Sequence, residues 1–287
     1  MDKKITFISA AGDTLEAYTG GDYWLSDLTG VESTTQTIMT ARGFQQHGSN
    51  YLGTLLESRM ISFKLTMMDR STAGLKAKRA HLLKVFNPVA GAGELILDMA
   101  GDEYRIIASV YDGPHEVPAE SIDVPDYVQS FTVGLFCPRP AWESKTRYAL
   151  KMVGFIGGFR FPFHFPFRLA EQGDAIEIDY PGTIDAPVLI EFIGPAVMPK
   201  ITKRQTGENI EVDLDLQEGD KLYIDTTPGA INIYKTTCAG EQQSAFNFVN
   251  PLNSYFQLTH GINTLSFSAA SGNPEVYIYY RDRYSGV

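Results

Sequence analysis

The chain has 287 residues, of which 44% are hydrophobic, and its formal net charge is −10. This hydrophobic content suffices for ordinary folded cores and excludes an intrinsically disordered protein, and the length allows two domains. The acidic balance argues against nucleic acid as the main partner, because neutralising phosphates needs a basic surface, and no segment approaches the ~20 apolar residues of a membrane span.

The first 54 residues divide into a strand-forming part and a polar part. Residues 5–8 and 15–18 are predicted to be short strands around a turn at Gly12, because glycine readily adopts the positive φ that such turns often need. Residues 29–54 are rich in Thr, Gln and Gly and show weak apolar periodicity. A long segment of this kind inside a compact domain is either a mobile loop or an arm that leaves the domain.

Residues 59–88 carry the clearest secondary-structure pattern. Apolar and polar residues alternate from Ile61 to Met67, as in a half-buried strand. A helix is predicted over about residues 72–87: Ser71 or Thr72 can cap its N-terminus, and Pro88 ends it by restricting the residue before it. Because the remaining pattern is one of strands and turns and 12% of the residues are aromatic, we expect a mainly β protein with one main helix.

The rest of the first predicted domain is also β. A hairpin (residues 94–98 and 103–110) is followed by an acidic, proline-containing loop at 112–126 and a strand at 129–136. Two prolines end that strand, because proline cannot donate to a strand ladder. We place the domain boundary there, so that the first domain spans residues 1–142.

Residues 143–170 are predicted to link the two domains. A phenylalanine recurs at every second position of this linker: Phe159, Phe161, Phe163, Phe165 and Phe167. If the linker is extended, these rings point the same way, while two intervening prolines exclude a central strand. The simpler interpretation is a connecting strand that packs one side on the second domain. The functional alternative is a segment whose phenylalanines fill a groove on a neighbouring domain or subunit.

The second predicted domain spans residues 171–287. Short strands recur in it, with Gly, Pro or Asn between them, at 175–179, 188–193, 199–203, 209–216, 221–225, 230–234, 256–258, 263–268 and 275–280. This number and spacing are typical of an antiparallel β-sandwich or jelly roll.

The sequence shows no catalytic, cofactor-binding or metal site. The strongest candidate is an acidic cluster made of Glu211, Asp213, Asp215, Asp220 and Asp225. Paired carboxylates can hydrolyse glycosides or bind calcium. However, the first three alternate on the outward face of a predicted strand, where charged residues are usually just exposed. Phosphate-loop, nucleophile-elbow and zinc-protease motifs are absent. The residues by themselves therefore indicate no catalysis and no cofactor, and they leave the function open between a binding module and an assembly protein.

The two cysteines, Cys137 and Cys238, lie in different predicted domains. They are too few for a disulfide framework, and no Cys or His has zinc-like spacing. We interpret both as buried thiols of a protein that folds in a reducing cytoplasm.

Several stretches together resemble the distal tail proteins of long-tailed bacteriophages and prophages. The first is the strand, basic helix and Asn-Pro stop at residues 59–88, and the second is QSFTVGLFCPRPAW at 129–142. The third is the second half of the chain, where residues 180–226 contain GP, P, TGE, GD and IDT in that order and residues 256–287 end in Tyr-Arg-x-Arg-Tyr. Each motif consists mainly of residues that favour turns, so the resemblance is specific only because the motifs occur together in this order.

The resemblance implies a fold, a role and a set of partners. The first domain would form a hexameric ring that continues the tail tube, and the second would be a galectin-like β-sandwich on its outside. The protein would be a non-enzymatic hub at the virion tail tip, assembled in the host bacterial cytoplasm. Its implied partners are other copies of itself, the tail tube protein, the tape measure protein, a tail-tip protein and receptor-binding proteins.

A ring of identical subunits requires two different surfaces on each subunit. The polar segment at residues 29–54 is the first candidate for an arm that reaches the next subunit, and the loop at 112–126 is the second. The candidate contact residues in the first arm are Gln36, Met39, Arg42, Phe44, Gln45 and His47.

Two other classes of function stay open at this point. The alternative is a soluble carbohydrate-binding β-sandwich protein, since the second domain is rich in tyrosine although it has no tryptophan. Glycan binding that depends on those tyrosines would favour it. A glycosidase that uses the acidic cluster comes third, and sugar hydrolysis abolished by Asp213→Asn would favour it.

Overall fold

The computed structural model describes residues 3–117, 128–152 and 174–287. In these residues the chain is mainly β, with one α-helix, α1 (Thr72–Val85), so the predicted fold class is confirmed. The chain divides into two compact units. The first consists of Met1–Lys145 together with Tyr284–Val287, and the second is Thr146–Arg283.

The strands of the first unit form one large sheet and one separate hairpin. In chain order they are β1 (Lys3–Ile8), β2 (Thr14–Ala17), β3 (Tyr23–Thr29), β4 (Gln36–Ala41), β5 (Asn50–Leu56), β6 (Arg59–Met68), β7 (Ala92–Met99), β8 (Asp102–Val117), β9 (Val128–Cys137) and β10 (Trp142–Ser144). The large sheet is antiparallel with the order β2-β1-β7-β8-β9-β6-β3. Its two end strands are joined through Tyr18 N–H, which donates to Tyr23 O at 3.2 Å, so the sheet curls round.

The core of the first unit lies between this sheet and α1. In β6 every second residue is buried, including Ile61 and Phe63, as the alternation predicted. Phe86, directly after the helix, is fully buried and stacks on Phe7 with ring centroids 4.8 Å apart. Burying one phenylalanine side chain contributes about 2 kcal/mol, so the helix is held mainly by this apolar side.

The bounds of α1 follow from local chemistry. Of the two residues that the sequence offered as caps, Ser71 is the N-cap, and its hydroxyl accepts from Gly74 N–H at 3.0 Å. The helix ends at Val85, two residues before the predicted end. The reason is Asn87, whose backbone is extended and whose side chain accepts from Val89 N–H at 3.0 Å, which starts a short 3-10 helix (Pro88–Ala90).

The second unit is a β-sandwich. Its strands are β11 (Tyr148–Met152), β12 (Asp174–Tyr180), β13 (Leu189–Ile193), β14 (Ala196–Val197), β15 (Lys200–Lys203), β16 (Asn209–Glu211), β17 (Asp215–Leu216), β18 (Lys221–Asp225), β19 (Asn232–Thr236), β20 (Gln242–Ser244), β21 (Gly261–Ser268), β22 (Ser271–Gly272) and β23 (Glu275–Tyr280); β24 (Arg283–Tyr284) spans the division between the units. The described sheets have the orders β11-β23-β13-β18-β19-β20, β12-β21-β15-β16 and β17-β14-β22. Phe192 and Phe267, from the first two sheets, meet edge to face with centroids 6.4 Å apart inside the core.

Two predictions for this unit are wrong. The single strand expected at 209–216 is broken into β16 and β17, which belong to different sheets. The break occurs because Val212 and Asp213 turn to another segment, where Val212 bridges Val249 and Asp213 N–H donates to Phe248 O at 2.7 Å. Cys238, expected to be buried, is exposed because it lies in the surface turn after β19, whereas Cys137 is buried as expected.

The division of the chain differs in two respects from the domains expected from sequence. The described part of the predicted linker at residues 143–170 belongs to the two units: β10 pairs with β8 in the first, and β11 pairs with β23 in the second. The second difference concerns the end of the chain. We placed everything up to residue 287 in the second domain, but Tyr284–Val287 pack within the first unit. The five phenylalanines at 159–167 lie outside the described residues, so their packing stays a prediction.

Candidate assembly surface

The hairpin of β4 and β5 forms a two-stranded sheet of its own. Its antiparallel register runs from Gln36 opposite Leu56 to Ala41 opposite Asn50, with one irregularity after Met39. Six residues of β4 at about 3.3 Å each give a length of roughly 20 Å before the connecting turn. Residues 29–54, predicted to be a loop or an arm, therefore contain most of an ordered hairpin.

The base of the hairpin is closed by hydrogen bonds to Glu57. Its backbone N–H donates to Thr35 O at 2.9 Å. Its carboxylate accepts from the Thr37 hydroxyl at 2.6 Å, and its carbonyl accepts from the Thr34 hydroxyl at 3.3 Å. The two chain ends of the hairpin are therefore held side by side.

The tip is ordered by Gln46. Its carbonyl accepts from Arg42 Nε at 2.8 Å, its side-chain oxygen accepts from Gly43 N–H at 2.9 Å, and its side-chain nitrogen donates to Asn50 Oδ1 at 3.1 Å. These bonds present the ring of Phe44 to solvent, where 94% of the residue is exposed.

Large apolar side chains lie along the hairpin on both strands. Tyr51, Leu52 and Leu55 are each more than half exposed, as is Ile38 on the other strand. An isolated two-stranded hairpin is marginally stable in water, and clustered exposed apolar groups mark interaction surfaces. The hairpin thus has the physical character of a segment that is completed by a partner.

The structure brings the predicted contact residues together. Gln36 and Met39 lie on β4, and Arg42, Phe44, Gln45 and His47 lie in the connecting turn; all six are exposed. Their role in subunit contact stays a prediction. Sequence reasoning missed Leu55 and Leu56, because it ended the polar segment at residue 54, although the run YLGTLL at 51–56 was a visible strand signal.

The start of the segment predicted as a second candidate arm is part of a strand. The loop predicted from Asp112 onward is wrong at its start, because β8 continues to Val117 and pairs with β9 through two register irregularities. The remainder of this segment, residues 118–126, lies outside the described residues.

The acidic cluster of the second unit is largely engaged in structural bonds. The pKa of Asp220 is lowered, first by the ion pair with Lys235 Nζ at 2.7 Å and then by backbone N–H groups. Glu211 pairs with Lys200 Nζ at 3.2 Å. Asp213 and Asp215 line an open groove of about 390 Å³ beside Phe248. In residues 3–117, 128–152 and 174–287, no group of three or more acidic, His or Cys side chains is arranged to hold a metal ion.

A tyrosine-rich network surrounds one buried carboxylate on the six-stranded sheet. Glu191 accepts from Tyr279 Oη at 2.7 Å, from Tyr223 Oη at 2.9 Å and from Lys221 Nζ at 3.0 Å. Burial by itself would raise the pKa of Glu191, but these donors outweigh it and hold the pKa below its usual value. The same bond raises the pKa of Tyr279 to about 12. The tyrosine hydroxyls thus serve a carboxylate within the fold.

Comparisons with known proteins bear on the second unit directly. A family profile described as the siphovirus-type tail component, C-terminal domain, matches residues 181–284. The match covers less than half of the chain. Over these residues it confirms the resemblance to distal tail proteins. No curated protein sequence matches the chain significantly.

Solved structures of phage proteins share the fold over the whole chain. The Dit protein of SPP1, described as a paradigm of the hub of the adsorption apparatus in phages that infect Gram-positive bacteria, is 9% identical, with a TM-score of 0.67 and 98% of both chains covered. A chain of the phage P2 baseplate in its activated conformation with Ca is also 9% identical, with a TM-score of 0.52 and 100% of both chains covered. At this identity the likeness establishes a common fold and nothing beyond it.

In the part of the chain that the structure describes, no helix is long and apolar enough to cross a membrane.

Proposed function

We propose that this protein is a phage tail component and the hub of the tail tip, and that six copies form a closed ring through the hairpin of β4 and β5. The observation that carries the proposal is the ordered hairpin, which pairs only with itself in the described sheets and exposes apolar side chains on both strands. In a cyclic ring each subunit offers one surface and receives another. The hairpin is suited to be the offered surface.

The proposed partners follow from the position of such a hub. The ring continues the tail tube, so it contacts the tail tube protein and the tape measure protein on one side and a tail-tip protein on the other. The second unit carries the receptor-binding proteins. The assembled location is the virion tail tip, reached by assembly in the host bacterial cytoplasm, and the role is structural rather than catalytic. The fold shared with the SPP1 hub and the P2 baseplate chain supports this reading.

Removing the hairpin tests the ring. Because Thr35 O and Glu57 N are hydrogen-bonded at 2.9 Å, residues 36–56 can be replaced by a two-residue Asn-Gly turn that suits such a closure. Six chains of 31.8 kDa give a ring of roughly 190 kDa in cyclic symmetry. We expect wild-type chains to show this mass by light scattering and six-fold rings by negative-stain microscopy, and the deletion variant to be a folded monomer.

A milder pair of variants separates contact from folding. Leu52→Thr with Leu55→Thr removes apolar contact and places a β-branched residue, which favours strands, at each position. The matched control is Leu252→Thr, at a leucine that is 86% exposed in the second unit. We expect the double variant to be monomeric and the control to form rings. Rings that survive the deletion, or a wild-type chain that stays monomeric even with its tail tube protein, would contradict the proposal.

The groove beside Phe248 favours carbohydrate binding as a second candidate function. It combines a half-exposed aromatic ring with carboxylate, amide and hydroxyl groups from Asp213, Gln243 and Ser244, which is the mixture that sugar sites offer. A glycan array with Phe248→Ala tests it, and Phe246→Ala is the control because the two rings are equally exposed, at 51% and 52%. Binding that is lost only with Phe248→Ala would favour this candidate, and absence of binding would remove it.

A further inference from the structure

Arg59, the first residue of β6, is buried with 1% of its surface exposed. Its guanidinium donates to four backbone carbonyls. Nη1 reaches Gly30 O at 2.6 Å and Glu32 O at 2.9 Å, Nε reaches Pro140 O at 2.9 Å, and Nη2 reaches Ser285 O. A planar fork of donors can serve several acceptors at fixed angles, so this one side chain joins three segments that are distant in sequence.

The carbonyl of Val31 joins the same three segments a second time. It accepts from the indole Nε1–H of Trp142 at 3.0 Å and from Val287 N–H at 3.2 Å. Val31 and Trp142 are both fully buried. We refer to Tyr284–Val287 as the clasp. These residues belong to the first unit and lie against the segment at Val31 that leads into β4.

The clasp lies in close backbone contact with the segment beneath it. A Cβ atom on Gly286 would lie 2.1 Å from Glu32 O, and one on Gly30 would lie 2.0 Å from Met60 O. The ring of Tyr284 packs edge to face on Tyr104 at 5.5 Å. The clasp therefore has a defined position rather than a loose one, since no side chain separates the two backbones.

Both legs of the hairpin enter this cluster. The upstream leg passes Glu32 four residues before β4 starts, and the downstream leg reaches Arg59 three residues after β5 ends. Because β4 and β5 pair only with each other in the described sheets, the direction of the hairpin depends on how its two legs are held.

We propose that Arg59 and the clasp set the direction in which the hairpin leaves the first unit, and that they thereby position it for contact with a second copy of the chain. Arg59 is a positioning residue: it touches the legs of the hairpin, while the hairpin makes the contact. The part of this inference that concerns assembly rests on the proposed ring, whereas the part that concerns direction can be measured in a single chain.

Spin labels measure the direction. In a Cys238→Ser background, labels are placed at the hairpin tip with Phe44→Cys and on the first unit with Val89→Cys; these residues are 94% and 89% exposed, and the remaining Cys137 is fully buried. Labelled chains are diluted into unlabelled chains, so that double electron–electron resonance measures only distances between two labels on the same chain. We expect one narrow distance distribution.

Three changes release the hairpin: removal of residues 284–287, Gly286→Ala, and Arg59→Lys, since one ammonium cannot reproduce the fork of donors. We expect each to widen the distribution by about twofold or more, as for a segment that has lost its local restraints. Gly113→Ala, where an added Cβ meets nothing within 4 Å, and Arg139→Lys at an exposed arginine are the matched controls and should leave it narrow.

The outcomes are separable from those of the ring experiment. If the distribution stays narrow in all three variants while circular dichroism shows a folded chain, the inference is overturned. Should the deletion unfold the first unit, Gly286→Ala decides, because it adds one methyl group. A wide distribution in variants that still form rings overturns the assembly role of the clasp and leaves the proposed ring untouched. Rings formed without the hairpin overturn the proposed function instead.

Discussion

Tyr279 donates its hydroxyl hydrogen to Glu191 Oε2 at 2.7 Å, from β23 to the neighbouring strand β13. Tyr223 and Lys221 on the other neighbour, β18, donate to the second carboxylate oxygen. A carboxylate that is only 5% exposed is thus satisfied from both sides of its strand. Such a group ties three strands together, because removing it would leave its donors without an acceptor.

Replacing Glu191 should destabilise the second unit in a pH-dependent manner. The folded pKa is lowered, so the carboxylate contributes stability above its unfolded pKa of about 4.3 and loses it as the pH falls through the folded pKa. We expect Glu191→Gln to lower the free energy of unfolding by about 2 kcal/mol at neutral pH. The difference from wild type should shrink below about pH 4. Urea unfolding at several pH values measures both.

The control for this prediction is Glu275→Gln on β23, an exposed carboxylate that pairs with Lys151 Nζ at 2.8 Å. Exposed ion pairs contribute little, so this variant should stay close to wild type at every pH. Equal losses in both variants would contradict a special role for the buried network.

The two tryptophans should respond differently to the same substitution. Trp142 is fully buried and its indole N–H serves Val31 O at 3.0 Å, whereas Trp24 is 50% exposed. Trp142→Phe removes a donor and leaves unfilled space, so we expect a loss of about 2 kcal/mol in the free energy of unfolding. Trp24→Phe should stay within about 0.5 kcal/mol of wild type. Unfolding followed by circular dichroism measures both free energies. A larger loss of stability for Trp24→Phe than for Trp142→Phe would contradict a structural role for the buried indole.

The two cysteines should differ in reactivity. Burial raises the pKa of Cys137 to about 12, so at pH 8 its thiol is neutral as well as inaccessible, and the thiolate is the reactive form. Cys238 is exposed. Ellman's reagent should titrate one thiol per native chain and both thiols in denaturant, and Cys238→Ser should abolish the native reaction. Two thiols that react natively at the same rate would show that Cys137 is accessible.

The candidate surface could be found only in part from the sequence. The segment at residues 29–54 and its exposed residues such as Phe44 were recognised because a long polar stretch without core periodicity does not fit inside a domain. The strand β4 was missed because all of its residues are exposed, so that its sequence lacks the alternation of a half-buried strand. Leu55 and Leu56 lie just beyond residue 54, where the polar segment was ended, and their exposure follows from the lack of a covering element.

What the sequence by itself determined is local. The alternation that makes β6, the Ser71 cap of α1 and the repeated short strands of the sandwich all depend on residues close together in the chain, whose spacing shows which face is buried. Only the tertiary structure decided that Arg59 is buried and that Tyr284–Val287 belong to the first unit. An arginine is expected at the surface unless acceptors surround it, and here the acceptors come from residues as far away as Ser285, 226 positions along the chain. The periodicity of apolar residues does not show which distant backbone carbonyls will surround a side chain, because every residue carries a carbonyl.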